Sequence, residues 1–254
     1  MTATVAGLNI ILGLVYTSYG LMTLTEMIRN RQTMGFSHFG AAWVAMAFTC
    51  GPHHWVHGIH VLEGNPGGGL DLFAVLVGFP AGVIWFGLRV EAFRGGRGDR
   101  HVSGTPGWIM ALPTLGGIYA TALVAAAIAV GGTIYDPTAG VVANLILVVL
   151  YSAIGYYLAR TQIANRRPLA GWSLGGLALA VVFPTCAAMH GVYAFYELNG
   201  YYGADGHMVA VDVLAVPAAM YFLWVVHALY RGSFRDWNGA PGVTRDALVA
   251  PAEP

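Results

Sequence analysis

Thr49-Cys50-Gly51-Pro52-His53-His54 and, about 135 residues later, Thr185-Cys186-Ala187-Ala188-Met189-His190 are the two stretches on which the fold turns. Outward from them the same order of residues is met twice. Asn9, Tyr16 and Gly20 return as Asn144, Tyr151 and Gly155, and Asn30-Arg31 returns as Asn165-Arg166. Gly35, Ser37 and Gly40 return as Gly171, Ser173 and Gly176. Further on, Phe79-Pro80-Ala81 with Phe93-Arg94-Gly95 answers Val216-Pro217-Ala218 with Tyr230-Arg231-Gly232. Apolar coincidences between membrane segments mean little, because the alphabet there is small. Asn, Thr-Cys, His, Pro and Arg recurring in one order mean more. They point to an internal duplication that makes His54 and His190 equivalent positions on a pseudo-twofold axis.

The medium for both copies is a bilayer. The chain is 57% hydrophobic and 9% charged, with a mean hydropathy of +0.62, far from the soluble average. A helix needs about 20 apolar residues to cross the hydrocarbon core. Seven stretches qualify, approximately 5–28, 39–62, 70–93, 107–131, 139–160, 170–197 and 208–231. Every basic residue is an arginine, and all of them fall at or near one set of ends. Arg29 and Arg31 follow span one, Arg89, Arg94, Arg97 and Arg100 span three, Arg160, Arg166 and Arg167 span five, and Arg231, Arg235 and Arg245 span seven. Positive charge stays cytoplasmic, so a multi-pass protein of the cell membrane is expected, N-terminus outside and C-terminus inside. The first span lacks a basic leader and reads as retained.

The expected fold is therefore an all-α integral membrane protein in one seven-helix domain over 1–237. Repeat one covers 5–99, a linker helix 107–131, and repeat two 139–236. Residues 238–254, rich in Ala, Pro and charge, read as a short disordered cytoplasmic tail. Because the linker helix restores polarity, spans 1–3 and 5–7 repeat in parallel about an axis along the membrane normal. This 3+1+3 topology is similar to that of microbial rhodopsins and SWEET transporters, by layout alone. A retinal chromophore is excluded, since a Schiff base needs a lysine and the chain has none.

The chemistry gathers in the second span of each repeat. Four histidines, His53, His54, His57 and His60, fall within eight residues. At roughly 100° per residue, His53, His57 and His60 lie within an arc of about 60°, with His54 about 60° to one side of His57. One face of the outer half of that helix is imidazole. Pro52 after Gly51 predicts a kink or a restart there. In repeat two His190 holds the place of His54, with Met189 for His53 and Tyr193 for His57. His207 and Asp212 come from the last span, and Asp71 from the outer end of span three. Ionisable groups at membrane depth point to a bundle interior and to function.

Imidazole is the commonest metal ligand, and i,i+3 and i,i+4 spacing brings two nitrogens of one helix to one ion. Two sites fit. In one, His54 and His190 are the axial ligands of a haem b between the helices. In the other, His53, His54, His57, His60, His190 and His207, with Asp71 or Asp212, hold copper, iron or zinc. A Cys2His2 site from Cys50, Cys186, His54 and His190 ranks third. The function expected is redox or metalloenzyme chemistry in the outer half; the alternative is a 3+1+3 transporter or channel for a metal ion or protons. Asn9 and Asn144 read as interhelical hydrogen-bonding groups. Tyr193, Tyr196, Tyr201 and Tyr202 read as an interfacial belt that also suits a quinone or lipid. Membrane lipid and a membrane complex are the expected partners; nucleic acid is not.

Overall fold

Lipid leaves backbone N–H and C=O groups no partner but each other, which favours the helix for every spanning segment. The computed structural model describes residues 1–64, 68–104, 138–168, 170–200 and 206–232, with scattered positions between 111 and 129; of 206–208 it describes the backbone alone. The helices are α1 (Thr2–Met34), α2 (His38–Leu62), α3 (Gly69–Phe93), α4 (Ala139–Asn165), α5 (Leu174–Leu198) and α6 (Gly206–Tyr230). Within 107–131 the described positions from 111 on are helical; the rest of that expected linker, and the tail 238–254, lie outside the described residues.

Among the described residues the molecule is helical but for two short strands, and five helices are long and apolar enough to cross a membrane: Thr2–Met34, Gly69–Phe93, Ala139–Asn165, Leu174–Leu198 and Val209–Tyr230. The helix α2 has the length as well, 25 residues, or roughly 37 Å at 1.5 Å per residue. Its histidines keep it out of that set by composition, and they are turned into the bundle rather than toward lipid.

Neighbouring helices pack in matched pairs. The helix α1 lies against α2 and α3, and α4 lies against α5 and α6; α2 on α6 and α3 on α5 then join the two groups. Small residues set how closely α1 and α2 approach. A Cβ on Gly58 would stand 2.9 Å from Ile10 Cγ1 and 3.1 Å from the Ala6 carbonyl, and one on Gly51 would collide with Thr17. Close backbones of this kind are the usual basis of helix association in membranes. The helix α2 does not restart at Pro52 but runs on to Leu62. Packing against α1 through Gly51 supports the turn that proline weakens.

The repeated Gly-x-Ser-x-x-Gly pattern is a helix start. Ser37 accepts the Gly40 N–H at 2.8 Å, and Ser173 accepts that of Gly176 at 2.9 Å, each a side-chain N-cap. Next to the second cap, β1 (His101–Ser103) pairs antiparallel with β2 (Gly171–Ser173). Asp99 ties this strap to α5, accepting from Ser173 Oγ at 2.5 Å and from the Gly175 N–H at 2.8 Å. The arginine-bearing half of the core is aromatic: Trp43 packs on Trp85 with ring centres 4.1 Å apart, and Phe183 stacks on Phe222 at 5.1 Å. Glu26 pairs there with Arg89 between α1 and α3.

Candidate metal centre

His53 and His54 leave α2 on the turn after Pro52, and His190 leaves α5 toward them; all three are buried. The His53 and His190 ring centres are 4.7 Å apart. Asp212 on α6 reaches the same point and accepts from His53 Nδ1 at 2.7 Å. Ligand atoms of His53, His190 and Asp212 all lie within 4.8 Å of one another. Three helices from both ends of the chain thus converge on one spot.

Asparagines determine which imidazole nitrogen is available. Asn9 donates through Nδ2 to the Val5 carbonyl at 2.9 Å, which turns its Oδ1 to His54 Nδ1 at 2.8 Å. Asn144 likewise donates to the Gly140 carbonyl at 3.0 Å and to Asp212 Oδ2 at 2.7 Å. Its Oδ1 faces His190 Nδ1 at 2.6 Å. An amide oxygen and a carboxylate only accept, so the network assigns the proton of all three rings to Nδ1. Nε2 then carries the lone pair. The Nε2 of His53 is buried and has no hydrogen-bond partner. A ring with one N–H held by a carboxylate or carbonyl and the other nitrogen open is how metal-ligating histidines are oriented.

Between these groups lies a cavity with about 10 Å³ of free space, lined by Cys50, His53, His54, Cys186, Met189 and His190. That is room for one water or one ion. Cys50 and Cys186 also line a second cavity on the arginine-bearing side, with Tyr16, Trp43, Met46 and Phe183. Two tyrosines frame the layer. The Tyr16 ring is 5.3 Å from His54 and the Tyr151 ring 5.2 Å from His190. Tyr151 Oη lies 3.2 Å from Cys50 Sγ, and Tyr16 bonds Cys186 in the same crossed fashion.

The other candidates take separate places. His57 and Asp71 form their own pair, Nε2 to Oδ1 3.3 Å, one helical turn from His53 toward the C-terminal end of α2. Asp71 sits in the first turn of α3, where the helix dipole favours a carboxylate. Tyr193 stands between the two levels, 4.5 Å from His57 and 4.7 Å from His53. His60 is buried near the C-terminal end of α2 and is not part of the three-residue cluster. The side chain of His207 lies outside the described residues. His38 bonds Tyr221 at 2.9 Å and His227 packs on Tyr157, both away from the cavity.

Sequence reasoning did not bring Tyr16, Tyr151 or Met189 into the site. The signal was present for the tyrosines, which recur along the sequence in step with the asparagines. No family model, curated protein or solved structure matches this chain, so its chemistry is read from the donors of this cavity and their arrangement.

Proposed function

We propose that the protein is a membrane-embedded metalloprotein that holds one transition-metal ion, copper, iron or zinc, at the cluster of His53, His190 and Asp212: His53 and His190 ligate through Nε2, with His54 beside them, and Asp212 holds the His53 ring through Nδ1. The observation that carries this is the convergence of those three buried ligand groups within 4.8 Å. Asn9 and Asn144 act behind the imidazoles, keeping Nε2 directed at the ion. Imidazole with a carboxylate suits all three metals, and a bound ion there supplies redox or Lewis-acid chemistry. The small cavity favours an ion over a haem, whose macrocycle needs a slot between α2 and α5 far larger than about 10 Å³. Detergent-purified protein, grown with trace metals, is the test, by elemental analysis and absorption spectroscopy. One ion per chain without a Soret band is expected. A Soret band that shifts on reduction replaces the ion with haem, and a chain holding neither removes the proposal.

A transporter draws support from one feature, the ladder of His53, His57 and His60 that climbs α2 from the cavity toward its outer end. Metal uptake into liposomes, absent for a fixed cofactor, separates the two functions.

We further infer that the bundle has seven spans in a parallel 3+1+3 duplication, arginine ends cytoplasmic. The matched helix pairs, the two serine caps and the two Asn–His bonds support it. Glu63 and Asn199 end α2 and α5, and Arg94 and Arg231 follow α3 and α6. Single cysteines at Glu63 and Asn199 should label with an impermeant maleimide from outside, and those at Arg94 and Arg231 should not. Opposite labelling of Glu63 and Asn199 would make the halves antiparallel.

A further inference from the structure

All six residues that line the cavity are metal donors: three imidazoles, two thiols and one thioether. The nitrogen and oxygen groups alone do not choose an ion, but the sulfurs do. Cys50 and His54 are four residues apart on α2, as Cys186 and His190 are on α5, so each thiol lies on its histidine's face about 6 Å further down the helix. Met189 stands in α5 where α2 has His53. A cavity wall bringing two cysteines and a methionine to the open nitrogen of His53 is soft-donor chemistry: thiolate suits Cu(I) and zinc alike, and the added thioether, the softer donor, favours Cu(I).

We propose that the ion is Cu(I), held by thiolate sulfur from Cys50 and Cys186 together with the imidazoles and Met189; this rests on the metal-site assignment above. Each thiol is positioned from the opposite half of the bundle. The Tyr151 hydroxyl stands 3.2 Å from Cys50 Sγ and Tyr16 bonds Cys186, phenol groups placed to donate to a thiolate. Cysteine coordinates as the thiolate. Binding releases both thiol protons to water and takes up one Cu(I), so the buried site gains one negative charge, which the Tyr16 and Tyr151 hydroxyls are placed to hydrogen-bond.

The experiment loads the full chain in detergent, anaerobically, with Cu(I) in competition with bicinchoninate, and in parallel with Zn(II). X-ray absorption at the copper edge is then recorded on the wild-type protein, where no substitution can disturb the fold. One Cu(I) per chain with sulfur and nitrogen in its first shell is expected. Cys50→Ser/Cys186→Ser should weaken Cu(I) by more than about 100-fold and Met189→Leu by about 10-fold, on the scale of losses seen for perturbed metal sites. Metal bound with only nitrogen and oxygen neighbours, indifferent to the cysteine changes, overturns Cu(I) and leaves the metal site standing. So does Zn(II) held in preference to Cu(I). A wild-type chain that retains no metal overturns both.

Discussion

The helices α2 and α5 carry a common frame and different fillings. In each, an asparagine one helix earlier holds a histidine through Nδ1, Asn9 for His54 and Asn144 for His190, and a tyrosine ring packs 5.3 or 5.2 Å away. Around that frame α2 has His53, His57 and His60, whereas α5 has Met189, Tyr193 and Tyr196. The acids are unequal too. Asp212 closes on His53 from α6, while the counterpart position on α3 is the apolar Val75. Two carboxylates at one buried point would repel and raise each other's proton affinity; one is enough to orient a ring and balance a cation. The common part builds and aims the imidazoles, and the unequal part supplies the charge.

That division is most exposed to attack at the ligands. His53→Ala, His190→Ala and Asp212→Ala should each empty the site, lowering metal affinity by more than about 100-fold, measured by elemental analysis after dialysis against a chelator. His53→Ala should also lower the melting temperature, because Asp212 keeps the Asn144 N–H but loses that of His53, and a buried charge with fewer partners is costly. Any one of these variants retaining a full ion would break the cluster.

The asparagines come next. Asn144 holds both His190 and Asp212, whereas Asn9 holds His54 alone. Asn144→Leu should cost about 10–100-fold in affinity, the range for groups behind a ligand, and Asn9→Leu less. Equal losses would mean that the two halves contribute alike and that Asp212 does not create the asymmetry.

The smallest effect is expected one turn further along α2. His57→Gln and Asp71→Asn disturb a pair separate from the cluster, so affinity should change by less than about 10-fold, below the scale of direct second-layer losses. If either variant empties the site, the ion sits higher in the bundle, between the His53 and His57 levels.

Much of this is legible in the sequence alone. Helical period and apolar length mark the spans, and α1, α3, α4, α5 and α6 fall on stretches read from them. The histidines on α2 were visible as a face, because angles along one helix follow from residue spacing alone. The paired Gly-x-Ser-x-x-Gly was seen as a repeat but not as a cap, since capping depends on a hydrogen bond rather than a pattern. Of the kink or restart expected at Pro52, the restart did not occur, since α2 runs unbroken to Leu62. Local propensity argued for it, and the close packing of Gly51 against α1 outweighed it.

By itself the sequence determined the membrane character, the recurrence of Asn, Tyr, Cys and His in one order, and the residue types available for ligation. These are properties of composition and of spacing along one chain, and lipid makes them nearly obligatory. Only the tertiary structure decided that Asp212 meets His53, while Asp71 meets His57 one turn away, and that Cys50 and Met189 share a cavity with His190. Asp212 with His53 and Cys50 with His190 are more than a hundred residues apart, His57 with Asp71 comes from consecutive helices, and in every case the angle at which helices pack is decided by surfaces that no single segment contains.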